Sequence, residues 1–180
     1  MEGLLIGLNG YAGSGKDEVA RYLQSKGWKW ESFAAPLRKG LELINPCIDG
    51  VPLAEHLERD GWDKVKRTYP EVRRMLQVIG TEFCRKTFGD DCWVNVAEEN
   101  LWDMRADDSC VFSDVRFSNE VEFIREYGGK IVCIERPGVG PINAHCSEVL
   151  IADPDYVIVN DGTIEDLHKK VEEMFNAVSE

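Results

Sequence analysis

An apolar run, Leu4-Leu5-Ile6-Gly7-Leu8, leads into Gly10-Tyr11-Ala12-Gly13-Ser14-Gly15-Lys16-Asp17, and an amphipathic segment runs on from Glu18 to Lys26. Buried strand, glycine-rich turn and helix in that order are what a phosphate-binding P-loop requires. The glycines at 10, 13 and 15 permit backbone angles closed to other residues and put no Cβ between main chain and anion. Successive N–H groups then point inward as a nest, and the positive end of the new helix faces the phosphates. Lys16 supplies a point charge for the β and γ phosphates. The usual Ser or Thr after that lysine is here Asp17, a hard oxygen ligand able to bind a metal directly or through water.

Composition narrows the partners. A 180-residue chain with 43% apolar and 30% charged residues suits one globular domain. Its net charge of −12 argues against non-specific nucleic-acid binding, which relies on clustered Lys and Arg. The cysteines at 47, 84, 92, 110, 133 and 146 include no CxxC pair, so free thiols in a reducing cytoplasm are expected. No apolar run approaches the ~18 residues of a membrane span, so no membrane partner is expected. Whether the chain forms a homodimer is left open.

Along the chain, strands are expected at Leu4–Asn9, Trp28–Phe33, Cys110–Ser113, Lys130–Glu135 and Tyr156–Val159. Helices alternate with them: one to about Lys26, one opened by Ala34-Ala35-Pro36, one after Pro70, then Asp91–Arg105, Asn119–Tyr127 and a last one capped by Thr163 and Asp166. Asn45 to Asp60, interrupted by Pro46, Gly50 and Pro52, reads as loop with short helical pieces. His145 to Leu150 reads as a helical turn or two. The helix after Pro70 carries an apolar stripe of Val72, Met75, Leu76, Ile79 and Phe83. Arg73, Gln77 and Thr81 share a neighbouring face that Arg85 extends. Gly80 would weaken a helix interior unless a ligand or another backbone comes close there.

Strands alternating with helices imply a parallel sheet covered on both faces, and ligands then bind beyond the carboxyl ends of the strands. The glycine loop, Asp114 with Arg116, Arg136 and Asn160 all fall there. Asp114 suits the acidic partner of a P-loop, against a helix cap for the segment from Ser118. Arg116 suits a bidentate phosphate clamp, against an ion pair with Glu120. Arg136 precedes a glycine- and proline-containing segment, where a lid could carry it over the phosphates. His145 has no second ligand at useful spacing and reads as structural.

Together these pieces resemble the bacteriophage deoxynucleoside monophosphate kinases. The resemblance rests on Gly10–Asp17 as GxAxSGKD, Phe33-Ala34-Ala35-Pro36-Leu37-Arg38, Arg73 with Leu76-Gln77 and Gly80-Thr81-Glu82, Asp114-Val115-Arg116 with Asn119-Glu120, and His145-Cys146-Ser147-Glu148. It implies an α/β, three-layer P-loop kinase fold with about five parallel strands, in one domain over residues 1–180. Residues 34–106 would be a largely helical acceptor-binding region and 136–150 a lid-like segment. The implied reaction is ATP·Mg²⁺ + dNMP → ADP + dNDP. It further implies Lys16, Asp17, Arg116 and Arg136 as the catalytic set and Asp17 and Asp114 as metal ligands, directly or through water. The acceptor would be held by Phe33, Arg38, Arg73, Gln77, Thr81, Asp114 and Arg116. ATP would lie on Gly10 to Asp17, with Asn160 and Gly162 near the adenine. Animal phosphomevalonate kinases look like relatives with a similar loop, so a kinase for another small phosphate is the rival, as is a non-catalytic nucleotide-binding module. A GTPase switch should carry DxxG and NKxD, and neither is present.

Overall fold

The computed structural model describes residues 3–102, 104, 105, 107–143, 145, 146 and 149–178, with side chains of the final helix described through Phe175. Its chain contacts divide it into two compact units, residues 1–33 with 97–180 and, between them, residues 34–96.

The first unit is built on five parallel strands in the order β2-β5-β1-β6-β7. They are β1 (Leu5–Asn9), β2 (Lys29–Glu31), β5 (Cys110–Phe112), β6 (Lys130–Glu135) and β7 (Tyr156–Val159). β1 lies at the centre because its residues are apolar on both faces. Ile6 and Leu8 point toward α1 (Lys16–Ser25) and α8 (Ile164–Val178), joining Val19, Leu23, Val132, Ile134, Leu167, Val171 and Met174 in one core. Gly7 points the other way, where a Cβ would meet Val115, Ile131 and Ile124 within 3.2 Å. There α7 (Ser118–Glu126) packs closely on the sheet. Helix, sheet and helix thus make the three layers expected.

Cys110 and Cys133 fill strand positions, each 2% exposed; burial pushes the Cys110 thiol up to about 12. All six cysteines are free. Thr163 and Asp166 cap α8 reciprocally, Thr163 N–H to Asp166 Oδ2 at 3.1 Å and Asp166 N–H to Thr163 Oγ1 at 3.2 Å. Ile164, the first residue of α8, is 56% exposed, and the helix packs through Leu167, Val171 and Met174.

Burial pushes the Glu31 carboxyl above its ordinary range, against a hydrogen bond from Asn100 and the Lys29 charge. With the folded pKa above the unfolded one, the folded state binds more protons, and the stabilisation present at low pH is lost as pH rises from the ordinary Glu value through the raised folded one. Glu31→Gln should therefore raise the melting temperature at pH 7 by a few degrees and leave it nearly unchanged near pH 4. Thermal scans at the two pH values check this.

The second unit is mainly helical and differs from expectation over Asn45–Asp60. A two-strand antiparallel ribbon, β3 (Cys47–Ile48) with β4 (Val51–Pro52), turns through Asp49 (φ 49°) and Gly50 (φ 78°). Two consecutive positive φ values are what a tight hairpin demands, and Asp-Gly supplies them. From Leu53 the chain is helical to Thr68 (α3), broken at Gly61 (φ 68°, ψ 166°). The prolines that suggested a loop stand at the ends of these elements: Pro52 precedes the first turn, where a missing N–H costs nothing. Leu53 and Val65 join Leu41, Ile48 and Val72 in a core belonging to this unit. The other helices here are α2 (Ala35–Ile44), α4 (Pro70–Gln77), α5 (Lys86–Phe88) and the start of α6 (Cys92–Trp102).

Between α4 and α5, Val78–Arg85 winds as a π-helix. Its Gly80 meets Leu37 of α2, whose Cδ2 would lie 2.9 Å from an added Cβ, and its carbonyl accepts from Trp93 Nε1 at 3.1 Å. The close neighbour of that glycine in this structure is the Leu37 side chain. Arg85 closes this π segment. It is 6% exposed and donates to the Asp90 carbonyl at 2.5 Å.

Candidate active site

The glycine loop joins the C-terminal end of β1 to the first turn of α1. Gly10 (φ 143°), Gly13 (φ 84°) and Gly15 (φ 112°) all lie at positive φ, so three amides turn in a way side-chain-bearing residues rarely allow. The Lys16 ammonium curls back into the loop, donating to the carbonyls of Gly10 at 2.6 Å and Tyr11 at 2.8 Å, and the residue is 8% exposed. A cation held inside a ring of backbone amides at a helix N-terminus is an anion site. The Ser14 hydroxyl is buried in the same loop without a hydrogen-bond partner. Nothing would lie within 4 Å of a Cβ at Gly13. An unsatisfied donor and an open cradle fit a phosphate chain.

Asn160, at the end of β7, grips the loop. Its Nδ2 donates to the Ser14 carbonyl at 2.8 Å, its backbone N–H donates to Glu135, and a Cβ at Gly15 would meet that Nδ2 at 2.6 Å. The side chain expected near the adenine thus holds the main chain of the glycine loop. Gly162 is exposed beside the Asp166 cap.

On the other side of β1, the carboxylate of Asp114 accepts from Ser32 Oγ at 2.7 Å and from the Phe33 N–H at 2.9 Å. It ties the end of β5 to the chain leaving β2 and does not cap α7. Glu120 does that, accepting from the N–H groups of Arg116 at 2.7 Å and Phe117 at 3.2 Å. Arg116 is half-buried in the turn so formed, and Asp17 is exposed in the first turn of α1. The Phe33 ring, expected to face substrate, is 4% exposed and packs on Phe112 and Phe123 at centroid distances of 4.7 and 5.9 Å. Arg136 is exposed after β6, where Gly138 turns the chain.

In the second unit Arg38 on α2, Arg73 and Gln77 on α4, and Thr81 in the π segment are each half-buried, and α2 packs on α4. Ser147 and Glu148 of the His145-Cys146-Ser147-Glu148 motif lie outside the described residues, as does part of the helical turn expected there. Among the described residues no group of three or more His, Cys, Asp or Glu side chains could hold a metal alone, and no helix is long and apolar enough to cross a membrane.

The family model of the deoxynucleotide monophosphate kinases matches residues 54–171. A protein of Acanthamoeba polyphaga mimivirus assigned to the same activity is 35% identical, over 93% of this chain and 94% of its own. The chain belongs to the deoxynucleotide monophosphate kinase family. The kinases of Escherichia phage RB69 and Enterobacteria phage T4 are 29% and 31% identical over 64% and 56% of this chain, which spans only 49% and 43% of theirs. In fold the kinase is similar to shikimate kinase from Aquifex aeolicus, at a TM-score of 0.50 and 13% identity over 98% of both chains. The matched residues begin after the glycine loop, so loop and family model are separate signals.

In this kinase Asn160→Ala removes the donor to Ser14 while leaving its backbone bond to Glu135. The orphaned carbonyl and loosened loop should weaken ATP binding by about tenfold, or about 1.4 kcal/mol. Titration calorimetry with ATP is the check. An unchanged dissociation constant would show that the loop holds itself.

Proposed function

We propose that the chain transfers the γ-phosphoryl group of Mg²⁺-bound ATP to a deoxynucleoside monophosphate, giving ADP and a deoxynucleoside diphosphate. The observation that carries this reading is the Lys16 cradle with its unsatisfied Ser14 hydroxyl, in a chain of this family. Gly10 to Asp17 hold the triphosphate. Asp17, directly or through water, and Asp114, through water, would hold the metal, which would supply charge neutralisation for the transferred group. Few protein carboxylates suffice, because Mg²⁺ keeps waters and takes phosphate oxygens as ligands. Arg116 and Arg136 stabilise the moving phosphoryl group, and Arg38, Arg73, Gln77 and Thr81 carry the acceptor.

A phosphate monoester has a second pKa of about 6, so at neutral pH the acceptor is already a nucleophile and no general base is required. That agrees with a site supplied with arginines rather than histidines. Residues 34–106 form the acceptor-binding region and 136–150 the lid, which excludes water so that ATP is not simply hydrolysed. The reaction takes place in the cytoplasm.

ADP release from ATP·Mg²⁺ should be measured with dTMP, dGMP, dCMP, dAMP, the ribonucleotides and phosphomevalonate as acceptors. Turnover with at least one deoxynucleotide is expected. Turnover only with phosphomevalonate would move the acceptor, and ATP binding without turnover would leave a nucleotide-binding module.

A further inference from the structure

Asn9, the last residue of β1, is a polar side chain 1% exposed at the end of an otherwise apolar strand. Its carboxamide makes two bonds to distant segments. Nδ2 donates to the Val115 carbonyl at 2.8 Å, and Oδ1 accepts from the Ile151 N–H at 3.0 Å, with Cys133 Sγ 3.9 Å from the same oxygen. Val115 stands between Asp114 and Arg116, and Ile151 is where the chain returns after residues 136–150. The Val115 peptide is held from both sides by β1, since its N–H donates to the Leu8 carbonyl at 3.0 Å.

We infer that Asn9 is a positioning residue for phosphoryl transfer, setting the Asp114–Arg116 turn and the return of the 136–150 segment against the end of β1. The inference rests on the kinase reading. Only a carboxamide, or a neutral acid, offers one donor and one acceptor side by side to a carbonyl and an N–H. The glycine loop has supports of its own in Lys16, Asn160 and the Ser14 N–H to Tyr11 bond of 3.1 Å. It therefore keeps its shape without Asn9, whereas Val115 and Ile151 lose their tether. Misplacing a charge-stabilising group by a fraction of an ångström slows the chemical step without touching donor affinity.

The test compares Asn9→Leu, which keeps the branching but removes both polar atoms, and Asn9→Asp, which keeps the shape, with wild type. Asn9→Ser serves if the leucine variant fails to fold. Three quantities are read: ATP dissociation constant, kcat with the best deoxynucleotide, and exchange of the Ile151 amide. The leucine or serine variant should bind ATP within about threefold of wild type, lose about ten- to a hundredfold in kcat, and exchange the Ile151 amide faster. Asn9→Asp has a further signature. Ionised, it sets a carboxylate against the Val115 carbonyl; protonated, it donates there again. Burial raises its pKa, so its kcat relative to wild type should recover as pH falls from about 8 to about 6.

An unchanged kcat in a folded variant would overturn the inference. So would equal losses of kcat and ATP affinity, which would make Asn9 a support of the loop. If wild type turns over no acceptor, the kinase reading falls instead, and faster Ile151 exchange with intact ATP binding still supports the tether, while unchanged exchange overturns it.

Discussion

Replacing Lys16 by alanine should lower kcat by about a thousandfold or more, equivalent to about 4 kcal/mol of transition-state stabilisation. In the resting enzyme the ammonium lies against the carbonyls of Gly10 and Tyr11, so it is placed before the nucleotide arrives and needs little reorganisation. Charge on the β–γ bridge grows during transfer, and a fixed cation in a water-poor loop is worth most at that moment. Lys16→Arg should rescue little, because a planar fork does not fit where a compact point charge sits between two carbonyls. Single-turnover rates at saturating ATP separate this from weaker binding. A loss confined to ATP affinity would assign Lys16 to ground-state binding alone.

The second large effect is expected at Arg116. The turn that carries it is built from its backbone N–H, held by Glu120 at 2.7 Å, and from the Val115 peptide. Arg116→Ala should therefore leave the melting temperature within a degree or two while lowering kcat/KM by about a hundredfold. Arg116→Lys should recover only part of this, since an ammonium cannot make the paired bonds of a guanidinium to phosphate. Steady-state kinetics with both variants decide it. Activity within about threefold of wild type would pass the role to another arginine.

The first unit was largely legible because its signals are local. Three glycines and a lysine at fixed spacing after an apolar run permit few arrangements, and buried parallel strands leave short apolar stretches that Cys110–Phe112 and Lys130–Glu135 show plainly. The second unit was less so. Pro46 and Pro52 drew attention from the Asp49-Gly50 turn, although that dipeptide between Ile48 and Val51 is a hairpin signal in its own right. The π winding at Val78–Arg85 leaves no periodic mark, because it arises from tertiary contacts of Leu37 and Trp93 with Gly80.

Asn9 and Asn160 show a different limit. A polar residue at a strand end suggests a ligand contact, and only three-dimensional partners reveal that both amides grip the main chain. Phe33 is the converse case, a residue inside a motif whose ring serves the core.

The chain leaves the sheet-bearing unit once, after residue 33, and re-enters it once, near residue 97. The intervening residues carry an apolar cluster of their own. An excursion with two crossing points and an apolar cluster of its own can change in sequence while the glycine loop stays fixed, wherever the substituted sites share no partners and so combine almost additively. If the proposed acceptor residues on this excursion hold the acceptor, its diversification can proceed as a traffic in cassettes, with the donor chemistry passed on unaltered.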